Sequence, residues 1–139
     1  MPQPGSFSLS PIGALHSALT RREDAPRQGS EGAPDAWIEV DPGVAQGLEG
    51  IRVGDAIIVI TWLHQARRDT LKTHPRNDPA QPELGVFATR SPDRPNPLGL
   101  HRVTVRAIEG RRLQVGPIEA IDGTPVLDIK PALAQVADS

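Results

Sequence analysis

The chain has no cysteine and no tyrosine, and only two phenylalanines and two tryptophans among 139 residues. Without a thiol it forms no disulfide, carries no thiolate nucleophile and offers no cysteine metal site, which fits a reducing cytoplasm. The core must rest on aliphatic side chains. Long hydrophobic runs are missing as well. The longest, around residues 56–60, falls far below the ~20 residues of a membrane span, and MPQPGSFSLS at the N-terminus has neither a basic nor an apolar secretory stretch. The expectation is a soluble, cytoplasmic protein with no membrane partner. Motifs are absent too. No GxGxxG or GxxxxGK[ST] phosphate loop occurs, which speaks against Rossmann and P-loop enzymes, and there is no GxSxG nucleophile elbow. The four histidines (His16, His64, His74 and His101) lack metalloprotease spacing, so no metal is expected.

Neither sign of charge is in large excess: 15 Lys and Arg meet 17 Asp and Glu, a net of -2. Its distribution is uneven. Residues 64–112 carry +5, the residues before them -4 and those after -3. If the fold gathers the central cations, one face attracts phosphates; otherwise they form a mixed, solvated surface.

What the chain does have is proline, 15 residues, and glycine, 13. This composition favours many short strands and tight turns over long helices. Residues 7–16 and 36–40 (AWIEV) read as strands, and a weak helix is predicted over residues 42–48 with Asp41 as N-cap and Pro42 first. Residues 55–63 (DAIIVITWL) are nearly continuously apolar, as in a central strand covered on both faces. Residues 85–90 alternate like a half-buried strand. Residues 100–108 alternate cleanly, turn at Gly110, and return as a hairpin partner at 113–115. A last strand over 124–130 follows the Asp122-Gly123 turn, with Val126, Asp128 and Lys130 on one face. Residues 17–34 and 66–84 read as long loops. The fold class is therefore all-β, a single domain over 1–139 built as a mostly antiparallel small barrel or curled sheet with long loops, with the first six or so residues outside it.

The stretch around which the chain is organised is GVFATRSPDRPNPLGL, residues 85–100. Pro92, Pro95 and Pro97 fix three φ angles and restrain the residues before them, so the loop gives up little further entropy on meeting a ligand. It carries Arg90, Arg94 and Asn96. A guanidinium suits a carboxylate or phosphate, and an amide both donates and accepts. A second reading stays open, in which these arginines pair with carboxylates of their own surface. His64 and Gln65 end the central strand, where side chains leave the core.

Taken with PRQ at residues 26–28, HQ at 64–65 and DGTPVLDIKP at 122–131, the stretch resembles the TsaA-like family, whose best-described members are the TrmO-type tRNA methyltransferases. The resemblance runs from Ile12 to Leu133. It implies a non-Rossmann methyltransferase using S-adenosyl-L-methionine on N6 of threonylcarbamoyladenosine at position 37 of tRNA, and a homodimer. It also implies cofactor contacts at Gln28, Gly29, Ser30, His64, Gln65, Arg90, Leu100, Gly116, Pro117, Ile118 and Glu119. Glu119 stands where many members have Asp, and PRQGSE replaces the usual PRQPGL. For catalysis, Asp128 or His64 would accept the N6 proton. Asp128 has an alternative as a salt-bridge partner of Lys130 or Arg94. Arg94, Asn96, Lys130, Arg67 and Arg68 are the candidate substrate contacts. Two other functions remain open: a methyltransferase of the same fold acting on a small metabolite, and a non-catalytic S-adenosyl-L-methionine-binding protein.

Overall fold

A computed structural model describes residues 5–26 and 32–133 of the chain. Eight strands occur among them: β1 (Gly13–His16), β2 (Ala36–Val40), β3 (Ala56–Trp62), β4 (Lys72–Thr73), β5 (Leu84–Gly85), β6 (Leu98–Glu109), β7 (Arg112–Gly116) and β8 (Pro125–Pro131). Six of them close into a barrel in the order β1-β2-β7-β6-β3-β8, every neighbouring pair antiparallel, while β4 and β5 form a separate two-stranded ribbon. The antiparallel barrel expected from composition and turn spacing is what forms.

Side-chain alternation explains the closure. Along β6, Gly99, His101, Val103 and Val105 are buried while Leu98, Leu100, Arg102 and Arg106 are exposed, so one face of the strand fills the barrel and the other meets solvent. Val59, Ile57, Leu15, Ile38, Leu113, Val115 and Val126 complete an aliphatic core. Each fully buried side chain of this kind contributes about 1.5–3 kcal/mol, which is how a barrel with few aromatics holds together.

Several local expectations are corrected. The first strand is Gly13–His16 rather than 7–16, because pairing with β8 and β2 begins only at Ile12 and Gly13, and Phe7 is left 90% exposed. Residues 42–48 keep the expected bounds and the leading Pro42 but form a 3₁₀ helix, and the Asp41 side chain makes no capping bond. The strand expected over 85–90 is replaced by the two residues of β5 and a 3₁₀ turn, Val86–Ala88, which buries Val86 and leaves Phe87 83% exposed. In β8 the shared face of Val126, Asp128 and Lys130 is broken. The register shifts between Ile60 and Thr61, where Asp128 pairs with the former and Val126 with the latter. This bulge at Leu127 puts Val126 and Ile129 toward the core and turns Asp128 and Lys130 outward.

The antiparallel order has one consequence for function. The connections after β1, β3 and β7 all leave from the same end of the barrel, while the 3₁₀ helix at 42–48 and the Gly110 turn occupy the opposite end. Residues 17–26 and 32–35 and the long segments 63–97 and 117–124 therefore share one rim.

Candidate functional site at the barrel rim

The proline stretch is docked on the turn that follows β3. Leu63 N–H donates to the Pro97 carbonyl at 2.8 Å, and Arg94 N–H to the Arg67 carbonyl at 3.0 Å. Arg68 reaches across with Nε to the Pro95 carbonyl (2.7 Å) and Nη2 to Asn96 Oδ1 (3.1 Å), and its guanidinium lies 5.0 Å from the Trp62 ring centroid. Within the loop, Arg94 donates through Nε to the Ser91 carbonyl (2.8 Å) and through Nη2 to the carbonyls of Val86 (2.7 Å) and Thr89. Proline rigidity and this pinning act together: the backbone carrying Arg90 has few conformations left.

Asp93 ties in a third segment. Its Oδ2 accepts from Arg22 Nη2 (2.7 Å) and its Oδ1 from the Arg67 amide (2.8 Å), while Arg22 Nη1 also donates to the Gln65 carbonyl (3.3 Å). Burial alone would raise the Asp93 carboxyl, but the hydrogen bonds from Arg22 and the Arg67 amide, backed by both guanidinium charges, outweigh it and hold the group below the ordinary aspartate range. A depressed folded-state pKa gives stability that is present above the unfolded value, about 3.9, and lost as pH falls through the lower folded one. Hydrogen exchange at the Arg67 amide should therefore stay slow at neutral pH and lose protection below about pH 4. Asp93→Ala should lose that protection at every pH; a variant amide protected as well as the parent's would refute this docking role.

The structure brings some expected residues together and separates others. His64 and Gln65 are exposed in the turn after β3, and Arg90, with Phe87, Ala88 and Thr89, lines an open depression of about 360 Å³ on the same rim. Gly116, Pro117, Ile118 and Glu119 leave β7 at this rim through a cis Gly116-Pro117 bond, and Ile118 N–H donates to the Pro34 carbonyl at 3.0 Å. Gln28, Gly29 and Ser30 lie outside the described residues. Leu100 and Asp128 face outward on the barrel wall, both paired with Ile60, and Lys130 lies one row further down, opposite Ile58. Asp128 is 51% exposed at its side chain and 3.3 Å from Lys130 Nζ, the salt bridge left open from sequence. Arg67 grips Asp69 through two bonds of 3.1 Å. The central cations are not gathered on one face: Arg111 and Arg112 sit at the far end, the first on the Val40 carbonyl and the second 4.5 Å over Trp37. Among the described residues no cluster of three His, Asp or Glu is placed to hold a metal ion, and no helix is long and apolar enough to cross a membrane.

Sequence reasoning missed one polar chain. His101 faces inward on β6, 4% exposed, with Nε2 2.7 Å from Thr61 Oγ1 and Nδ1 2.6 Å from Glu119 Oε1. The available signal was Gly99, a glycine inside a strand pattern, which marks close approach. A Cβ there would collide with Thr61 Oγ1 and His101 Nε2 and lie 3.1 Å from Leu63 Cδ2.

Against this geometry the comparisons with known proteins agree. Residues 14–139 match the family described as the tRNA-methyltransferase O N-terminal domain. Over 122 residues the chain is 43% identical to the S-adenosyl-L-methionine-binding protein of Archaeoglobus fulgidus, covering 88% of this chain and 86% of that one. It is 36% identical over 132 residues to a probable S-adenosyl-L-methionine-binding protein, VirR, of Rhizobium radiobacter, with 94% and 74% covered. The crystal structure of TrmO from Pseudomonas aeruginosa superposes with a TM-score of 0.74 at 34% identity, over 96% of this chain. The present chain spans only 60% of that solved chain. The resemblance read from the proline stretch is borne out, in sequence and in fold: the chain belongs to the tRNA-methyltransferase O N-terminal domain family, a family of S-adenosyl-L-methionine methyltransferases.

Proposed function

We propose that the chain is an S-adenosyl-L-methionine-dependent methyltransferase acting on N6 of threonylcarbamoyladenosine at position 37 of tRNA, as a cytoplasmic homodimer. The observation that carries this reading is the shared rim, on which His64, Gln65, Arg90 and residues 116–119 all emerge. The donor set fits the cofactor. Arg90, exposed beside the depression, supplies a planar cation for its carboxylate, and Glu119 supplies a negatively charged acceptor for its hydroxyls or amine. When bound, the cofactor supplies a methyl group activated by a sulfonium. The chain's own task is then positioning, the largest gain available to an in-line displacement. On this reading His64 or Asp128 takes the N6 proton, directly or through water. Asn96 and Lys130 meet the substrate, and Arg67, Arg68 and Arg94 hold the loop that frames it. The outward apolar residues Leu98 and Leu100, beside Ile60 and Trp62 on the wall, are where a second copy packs.

The protein with labelled cofactor and bulk tRNA from a strain lacking the modification should place label on threonylcarbamoyladenosine, mapped by nucleoside mass spectrometry. Arg90→Ala should weaken cofactor binding on the order of a hundredfold, the upper range for a hydrogen-bonded charge, with the barrel intact. Unchanged binding by Arg90→Ala would sink the site assignment. A small-metabolite substrate is favoured by one observation, that Arg22, Arg67, Arg68 and Arg94 are engaged by their own chain. Steep loss of tRNA affinity with added salt marks the tRNA reading, and salt-independent turnover of a small acceptor marks the other.

A further inference from the structure

An imidazole inside an aliphatic barrel is costly unless both ring nitrogens are satisfied. His101 pairs across the sheet with Val59 and lies between Gly99 and Val103, yet both of its nitrogens are bonded. The chemistry of the partners sets the proton positions. A carboxylate only accepts, so Nδ1 carries the hydrogen that Glu119 Oε1 receives, and in the neutral ring Nε2 accepts from the Thr61 hydroxyl. Gly99 keeps the space this bond needs. Glu119 is only 22% exposed at its side chain, and with Oε1 held, Oε2 is the oxygen left to meet a ligand at the rim.

We propose that His101 is a positioning residue for Glu119. Anchored by Thr61, it holds the carboxylate in one rotamer so that Oε2 meets the hydroxyls or amine of the methyl donor without a reordering cost at binding. The inference rests on the reading that residues 116–119 contact S-adenosyl-L-methionine.

The test is calorimetric titration of S-adenosyl-L-methionine into the parent, His101→Phe, Thr61→Val, Glu119→Ala and the His101→Phe/Glu119→Ala double variant. His101→Phe and Thr61→Val should each weaken binding on the order of tenfold, and His101→Phe should add nothing in the Glu119→Ala background, where no carboxylate is left to position. His101→Gln, which restores an N–H donor, should recover part of the affinity. Nitrogen-detected NMR of the parent should show His101 protonated at Nδ1, with that proton exchanging faster in Glu119→Ala. Thr61→Val keeps the side-chain volume and decides the matter if His101→Phe does not fold. Parent-like affinity in Thr61→Val and His101→Phe, or full additivity in the double variant, overturns the proposal. If Arg90→Ala binds normally, the underlying reading fails; if Arg90→Ala is defective while the His101 and Thr61 variants bind normally, only this inference fails.

Discussion

Replacing Arg94 with alanine should release the loop over residues 86–97 and weaken cofactor binding by at least about tenfold, on the reading that Arg90 holds the cofactor, while the barrel stays folded. The expectation follows from where the Arg94 guanidinium spends its donors. Three of its N–H groups end on the carbonyls of Val86, Thr89 and Ser91, which bracket the 3₁₀ turn and the residue that carries the candidate anion contact. Thr89 adds its own bond, Oγ1 to the Val86 carbonyl at 3.0 Å, but this spans only the turn itself. Without the fork, the carbonyls of Thr89 and Ser91 lose the Arg94 donor, and the Val86 carbonyl keeps only the amide and hydroxyl of Thr89 from within the turn. The variant should cost about 1–3 kcal/mol of local stability.

Arg94→Lys separates charge from geometry. An ammonium is a compact point charge on a flexible stem and lacks the rigid fork needed to serve three carbonyls at once, so it should recover only a minor part of the lost affinity. Hydrogen exchange at Thr89 and Ser91 measures the loosening directly. Unchanged exchange there, with parent-like affinity, would show that the prolines alone hold the loop.

The contrast between Arg94 and Arg90 shows what sequence could and could not disclose. Both stand in the same motif and both present a guanidinium, so composition gives them the same part. Only the fold shows that one bonds inward to its own backbone while the other borders an open depression. Strands with strict period-two burial were readable in advance. Residues 36–40 are β2 to the residue, and β6 and β7 pair across the Gly110 turn, where φ is +58°. Residues 85–90 misled because a 3₁₀ turn also buries one apolar residue and exposes its neighbours, and the loop's tertiary bonds decided between the two. The bulge in β8 was equally hidden, since nothing in PVLDIKP marks where pairing with β3 slips by one residue.

The rim was legible only in part. His64 and Gln65 could be placed at a strand end from hydrophobicity alone, but that they emerge at the same end as residues 116–119 depends on β3 and β7 running to one end of a closed barrel, which only the full strand order determines. Thr61 lies inside an apolar strand pattern and His101 is weighed only for metal spacing, because the significance of both lies in a contact across 40 residues of sequence.

Gly116→Ala should be the most destabilising single-methyl change at this rim, by about 3 kcal/mol, the upper part of the range for overpacking a tight site. Gly116 is the last residue of β7 and pairs with Thr104. A Cβ there would overlap Asp35 at Oδ1 and Cγ and also at its backbone Cα. The carboxylate could swing away, breaking its contact with Arg106 Nε at 3.7 Å, but the Cα cannot. The backbone entering β2 must then move, and that strand pairs with β7 through Ala36 and Val115, two core residues. A change of this size lowers the melting temperature by roughly 10 °C in a domain of this length. Gly43→Ala supplies the control. Its added methyl meets nothing within 4 Å, so it should shift stability by no more than about 0.5 kcal/mol. Equal melting temperatures for the two variants would mean that Asp35 and the start of β2 yield without cost, and that the rim is softer than its packing indicates.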